Sequence, residues 1–212
     1  MTSPQAHQHH PSVDPGQQLA NAKQPSGDQD IDTAGTEINP LSEAPLTRFL
    51  LAELDREVDR SRRALEHVPA NQGQWKPHER SMAFGPLAYM VATIPSWIAM
   101  IVRKDELDVA PADGSSTMRQ DVPPTSGALL QALDAAAADA RAALSGTTDD
   151  HLHTGWRLKA RGEVVQDASR LQMIQDAFNH WSHHRGQMTV YLRLMGAPVP
   201  ALYGPSADDS YW

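Results

Sequence analysis

Between Arg80 and Arg103 the chain carries no charged residue, and that stretch decides which folds are open to it. By count alone, Ser81 to Val102 is long enough to span a bilayer. It holds Gly85, Pro86, Thr93, Pro95 and Ser96, however, and the mean hydropathy of the whole chain is -0.49. A buried helix in a helical bundle explains the stretch more simply than a membrane span. It should run from about Phe84 to Arg103, with Pro86 tolerated in the first turn and Pro95 forcing a kink or break.

The flanking sequence supplies partners for such a helix. Leu46, Phe49, Leu50, Leu54, Val58, Ala64, Leu65 and Val68 recur at spacings of three and four, with Arg, Glu and Asp between them. This is helix period. Ser42 is a candidate cap, and Pro69 ends the run. Residues 73–78 then read as a loop that carries an apolar anchor, Trp75, onto the bundle. Residues 104–124 are polar and contain Pro and Gly, as suits a crossover rather than a tight hairpin. A third helix, Ser126 to Leu144, puts Leu129, Leu130, Leu133, Ala136, Ala137, Ala140 and Leu144 on one face, and Gly146 stops it. Residues 156–160 and 163–166 flank Arg161-Gly162, a pattern for a short hairpin or an extended crossover. Ser169 caps a long last helix, Arg170 to Met195, closed by Gly196 and Pro198. The expected fold is all-α, a four-helix bundle with long crossover connections and a short hairpin between helices three and four.

Residues 1–40 contain five prolines, six glutamines and no aromatic residue. Such a segment buries too little apolar surface to offset its ordering entropy, so it is expected to be a disordered tail, with the folded domain at 41–212. The N-terminus also lacks the basic start and apolar run of a secretory signal, which points to the cytoplasm. With 18 Lys+Arg against 26 Asp+Glu, the formal charge is -8. Nucleic acid and anionic membrane surfaces would repel such a chain, so basic partners or small molecules are expected. The absence of cysteine removes disulfides, thiolate metal sites and a cysteine nucleophile. There is no G-x-S-x-G elbow or phosphate-cradling glycine loop.

Chemistry concentrates in the last helix, in Phe178-Asn179-His180-Trp181-Ser182-His183-His184-Arg185-Gly186-Gln187. His180 and His184 are four apart and share one helix face with Met173, Ala177, Met188 and Tyr191, read as pointing toward the core. Two imidazoles so spaced can chelate one metal ion, or can form a hydrogen-bonded core pair. His183 has a different direction and reads as a rim residue. Asp176 extends the series, but about 12 Å of helical rise separates it from His184, so one ion cannot meet all three. Arg185 or Arg193 can steer an anionic substrate, or simply be solvated. Phe84, Trp97, Met100 and Trp181 at helical spacing read as core rather than as a cofactor box.

His180 to Gln187, followed by Tyr191-Leu192-Arg193, Gly196, Pro198, Pro200 and Tyr203-Gly204-Pro205-Ser206, together with Trp75-Lys76-Pro77-His78 and Leu87-Ala88, resembles the DinB/YfiT-like superfamily. The resemblance runs from about residue 45 to 208. It implies a four-helix bundle, often a homodimer, with zinc or nickel held by three histidines and activating a low-molecular-weight thiol or water in transferase or hydrolase chemistry. Two of those ligands fall on His180 and His184. The third is expected after Leu87-Ala88, where this chain has Tyr89. A phenol must lose its proton to ligate, whereas an imidazole offers a neutral lone pair. His78 is a conceivable substitute, with a surface hydrogen bond as its simpler role. Two functions stay open. One is a metal-dependent enzyme on His180 and His184. The other is a small-molecule-binding or structural bundle that has lost its metal, with Tyr89, His183 and Arg185 about its pocket.

Overall fold

Pro95 breaks the uncharged stretch where the sequence places the break. In a computed structural model describing residues 45–112 and 125–210, α1 is Leu46–Glu66, α2 is Phe84–Thr93 and α3 is Pro95–Arg103. The last two are bent by 48° at Ile94. The ring of Pro95 occupies the first turn of α3, where a missing N–H costs least. No single helix among the described residues is long and apolar enough to cross a membrane; α2 and α3 meet that test only as a bent pair. Most of their apolar residues are buried, Phe84, Leu87, Val91, Ile94, Ile98 and Ile101 among them.

The chain continues through β1 (Glu106–Asp108), α4 (Ser126–Ser145), α5 (Asp149–Leu152), β2 (Gly155–Ala160), β3 (Glu163–Ser169) and α6 (Arg170–Leu194). The described residues are thus mostly helical, with α4 packed on α1, α2 and α3, and α6 packed on α1, α2 and α3. The core lies among these helices, with Leu54, Leu65, Leu87, Ile98, Leu133, Ile174, Trp181 and Met188 deep in it.

Helix ends are fixed by side chains from distant segments. Pro45 gives α1 no side-chain cap; Asp149 supplies it, accepting from Leu46 N (2.9 Å) and Thr47 N (3.4 Å). A carboxylate at that end also suits the helix dipole. Ser126 donates to the Leu65 carbonyl at 2.7 Å. Arg170, 3% exposed, donates to the carbonyls of Ile101 and Lys104 and pairs with Asp105, tying the end of α3 to the start of α6. The Trp75 loop behaves as read: Phe84 N donates to Trp75 O at 2.8 Å, and Trp75 meets the ring of Tyr191 edge-on at 5.5 Å. Ser42, the tail and most of the 104–124 connection lie outside the described residues, as does Trp212.

The all-α expectation needs correction. The hairpin is present, and a third strand joins it, giving a sheet of order β1-β2-β3 with β1 parallel and β3 antiparallel to β2. The turn is Arg161-Gly162, both with positive φ (55° and 81°), the conformation of a two-residue hairpin turn. Asp108 clamps it. Its carboxylate accepts from Ala110 N (3.0 Å), Arg161 N (3.1 Å) and Gly162 N (2.7 Å). Desolvation pushes the Asp108 carboxyl up, but these three N–H groups and the Lys159 charge outweigh it and hold the group below its ordinary range. Alternation then gives the sheet two faces. Glu106, Arg157 and Lys159 pair on one; Leu107, Trp156, Leu158 and Gln166 share the other.

Candidate functional site

That second face forms one side of a cavity of about 330 Å³. Trp97, Met100 and Ile101 of α3 line it, with Met173, Asp176, Ala177 and His180 of α6 and the sheet residues Leu107, Trp156, Leu158 and Gln166. The lining is overwhelmingly apolar. Its polar side chains are Gln166 and Asp176, which hydrogen-bond each other (Nε2 to Oδ2, 2.9 Å), and His180, beside the indole rings of Trp97 and Trp156. Trp97, read from sequence as core, is half-buried and lies against His180 with ring centroids 5.1 Å apart.

α6 divides its inward and lateral faces sharply. Trp181, Arg185, Met188 and Leu192 are buried; His180 and His183 are exposed and His184 is half-buried. The histidine pair therefore sits on the flank of the core-facing stripe rather than in the core, a correction to the inward reading. The offset follows from the 100° step of the helix: Trp181 takes the inward position beside His180 and fixes it by donating Nε1–H to the Val91 carbonyl at 2.7 Å.

Within the pair, His184 Nε2 lies 2.8 Å from His180 Nε2, and His184 Nδ1 lies 2.8 Å from Gln187 Oε1. With the amide oxygen as acceptor, His184 carries its proton on Nδ1, and its Nε2 accepts from His180 Nε2–H. His183 approaches His184 at 5.2 Å between ring centroids. Desolvation first, then the neighbouring His184 and His183, hold His180 below the ordinary histidine value of 6.5. His180 is thus biased toward its neutral form.

The donor set can be tested against a metal ion. Two imidazoles on one tetrahedral zinc at about 2.0–2.1 Å place their nitrogens roughly 3.3 Å apart, close to the separation seen. Gln187 also orients His184 as an outer partner orients a ligand. A catalytic site uses three protein ligands, however, and no group of three His, Cys, Asp or Glu disposed to hold an ion occurs among the described residues. His78 is exposed, its Nδ1 accepting from Arg80 N at 3.2 Å. Tyr89 is half-buried and packs on the core. Asp176 lines the cavity and is held by Gln166. The residues present fit a proton-sharing pair and fall short of a three-ligand metal site.

Arg185 also departs from its expected place at a ligand pocket. It is 0% exposed, ion-paired with Glu57 and hydrogen-bonded to Ser61 Oγ (2.9 Å) and the Tyr203 hydroxyl. Tyr203 in turn donates to Glu57 Oε2 at 3.1 Å, and Arg60 stacks on its ring at 4.3 Å. Burial pushes the Glu57 carboxyl up, and the charges and hydrogen bonds of Arg185 and Arg60 override that, holding it below its ordinary range. Arg193 pairs with Asp208, whose carboxylate also accepts from Val199 N. Both arginines tie the C-terminal segment to α6.

Sequence reasoning missed Trp156, Gln166 and Leu107 as cavity residues. Their signal was the alternation of residues 156–160 and 163–166, but the strand that completes their face, β1, is three residues long and pairs non-locally.

The DinB family model matches residues 45–211. Over 53 residues the chain is 38% identical to the uncharacterized protein YrdA of Bacillus subtilis, a stretch that is 25% of this chain and spans 30% of that protein's length. Two solved structures share the fold. A DinB-like protein from Bacillus cereus superposes with a TM-score of 0.57 at 22% identity, covering 74% of this chain and 97% of that one. A DinB-like protein from Bacillus subtilis gives 0.54 at 18% identity, covering 70% and 92%.

Proposed function

Because the chain belongs to the DinB family, we propose that it uses that scaffold, a four-helix arrangement when α2 and α3 are counted as one bent helix, to bind a small, mainly apolar molecule. The site is the cavity between α3, α6 and the sheet. One observation carries the reading: about 330 Å³ of apolar space opens beside a neutral imidazole, His180. Small-molecule sites have this size and this make-up, an apolar lining with few polar groups. His180 and His184 share one proton and can pass it to or accept it from a bound molecule, as general acid–base groups do.

The test is a fluorescence titration with the neutral dye Nile red. Saturable binding is expected in the wild type and should be lost in Ala177→Leu, which fills the cavity from α6. Equal binding by a folded Ala177→Leu variant would place the dye elsewhere and remove the basis for the site.

A second reading, a metal-dependent transferase or hydrolase acting with a low-molecular-weight thiol or water, is favoured by the Nε2 separation in the pair and by the hold of Gln187 on His184. It needs a third donor beyond His180 and His184. Elemental mass spectrometry decides it, on full-length protein in which His7, His9 and His10 are replaced by alanine so that the tail contributes no imidazole.

A further inference from the structure

Asp176 stands apart from the rest of the cavity wall. It is an exposed residue at the open edge of an apolar space and the only carboxylate of the lining, with no Lys or Arg beside it there. Its Oδ2 accepts from Gln166 Nε2 at 2.9 Å, and neither oxygen meets a cation among the described residues. The cations of the surrounding elements are engaged elsewhere. Arg157 and Lys159 pair with Glu106 on the opposite face of the sheet, Arg103 pairs with Asp139, and Arg170 with Asp105. Lys104 lines an adjoining hollow rather than this one.

An unpaired carboxylate at the mouth of an apolar cavity sets the sign of what enters. An anion would be desolvated without a counter-charge and would meet Asp176 as a like charge. A neutral molecule fills the space and leaves the carboxylate to water. A cation on an apolar body gains an ion pair at the edge, where both charges keep part of their hydration and escape the full cost of burial. An aromatic ring stands close by. Trp97 is half-buried in the same lining, and its ring lies 5.1 Å from that of His180, which is one helical turn beyond Asp176 on α6. Indole rings attract cations more strongly than other aromatic side chains do.

We infer that the cavity selects organic cations, primary amines on an apolar body, with the ammonium held at the mouth by Asp176 and the indole of Trp97. This rests on the cavity being the ligand site. It adds a chemical class and a specificity-determining residue, Asp176, in place of a general preference for apolar molecules.

The experiment is displacement of Nile red from the full chain, near neutral pH, by three compounds that differ at one end: 4-phenylbutylamine, 4-phenylbutanol and 4-phenylbutyrate. The amine is protonated there, as lysine is. It should displace the dye about threefold to tenfold better than the alcohol, the range an exposed ion pair and a cation–π contact give together, and the carboxylate should be the weakest. Asp176→Asn keeps the shape of an exposed side chain and should bring amine and alcohol to within about twofold of each other. Glu79→Gln removes an exposed charge outside the lining and should keep the wild-type ratio, which separates Asp176 from the general attraction of a negatively charged protein for amines. Equal displacement by amine and alcohol in the wild type would overturn the inference while leaving the cavity as a binding site. A preference for the amine that survives Asp176→Asn, or falls equally in Glu79→Gln, would overturn the assignment to Asp176. Tightest binding by 4-phenylbutyrate would overturn the cationic class. No saturable Nile red binding at all would remove the cavity reading and this inference with it.

Discussion

His180 Nε2 and His184 Nε2 face each other across 2.8 Å, one turn apart on α6. A proton fills that gap in the arrangement described, and a third protein donor is what the described residues lack for a catalytic ion. Tyr89 stands on α2, two residues before Val91, whose carbonyl receives Trp181 from α6. Tyr89→His in the tail-substituted protein should therefore tighten zinc binding at least about tenfold relative to Tyr89, as a third imidazole joins the pair. Unchanged affinity on titration would show that Tyr89 does not occupy the third position.

Arg185 is assigned to the fold, and its removal tests that. Arg185→Ala leaves Glu57 buried without its counter-charge, so chemical denaturation should show a loss of about 3–5 kcal/mol. The double variant Glu57→Leu/Arg185→Met should recover most of it, because apolar groups of similar volume need no partner. Native stability in Arg185→Ala, together with weakened ligand binding, would return this arginine to a ligand-facing role.

The same pair sets an acid dependence. Glu57 is held below the ordinary carboxylate value of 4.5 in the folded state, so the unfolded state takes up its proton first as pH falls. The stability contributed by Glu57 is present above that value and is lost below it, as pH falls through the lower folded-state value. Unfolding free energy measured from pH 7 downward should fall more steeply in the wild type than in Glu57→Gln. Parallel curves would mean that Glu57 does not govern the acid limb.

Asp108 connects the sheet to the cavity. Its three backbone hydrogen bonds hold the Arg161-Gly162 turn and the end of β1 together, and Leu107 beside it lines the cavity. Asp108→Ala should lower Tm and weaken Nile red binding in the same protein, since the wall loses its clamp. A lower Tm with undiminished dye binding would separate the clamp from the site.

The helices were legible because their apolar spacing is local, and Pro95, Ser169, Gly196 and the Arg161-Gly162 turn each act through their own backbone. Positions that depend on distant partners were not. Asp149 caps a helix whose start lies about a hundred residues earlier, and Glu106-Leu107-Asp108 becomes a strand only because β2 passes alongside it. Half of the site behaved likewise. The His180/His184 pair follows from an i, i+4 spacing, whereas its position on the flank of α6 depends on Trp181 and Arg185 taking the buried stripe. Trp156 enters the cavity wall through a sheet whose third strand the sequence does not announce.

The central claim, a small apolar molecule seated between α3, α6 and the sheet, is tested most directly by methyl NMR of methionine-labelled protein titrated with benzophenone. Met100 and Met173 line the cavity, whereas Met188 is buried outside it. Saturable shifts of the Met100 and Met173 methyls, with Met188 unmoved, are the predicted result. Shifts spread evenly over all the methionines, or none at Met100 and Met173, would contradict it.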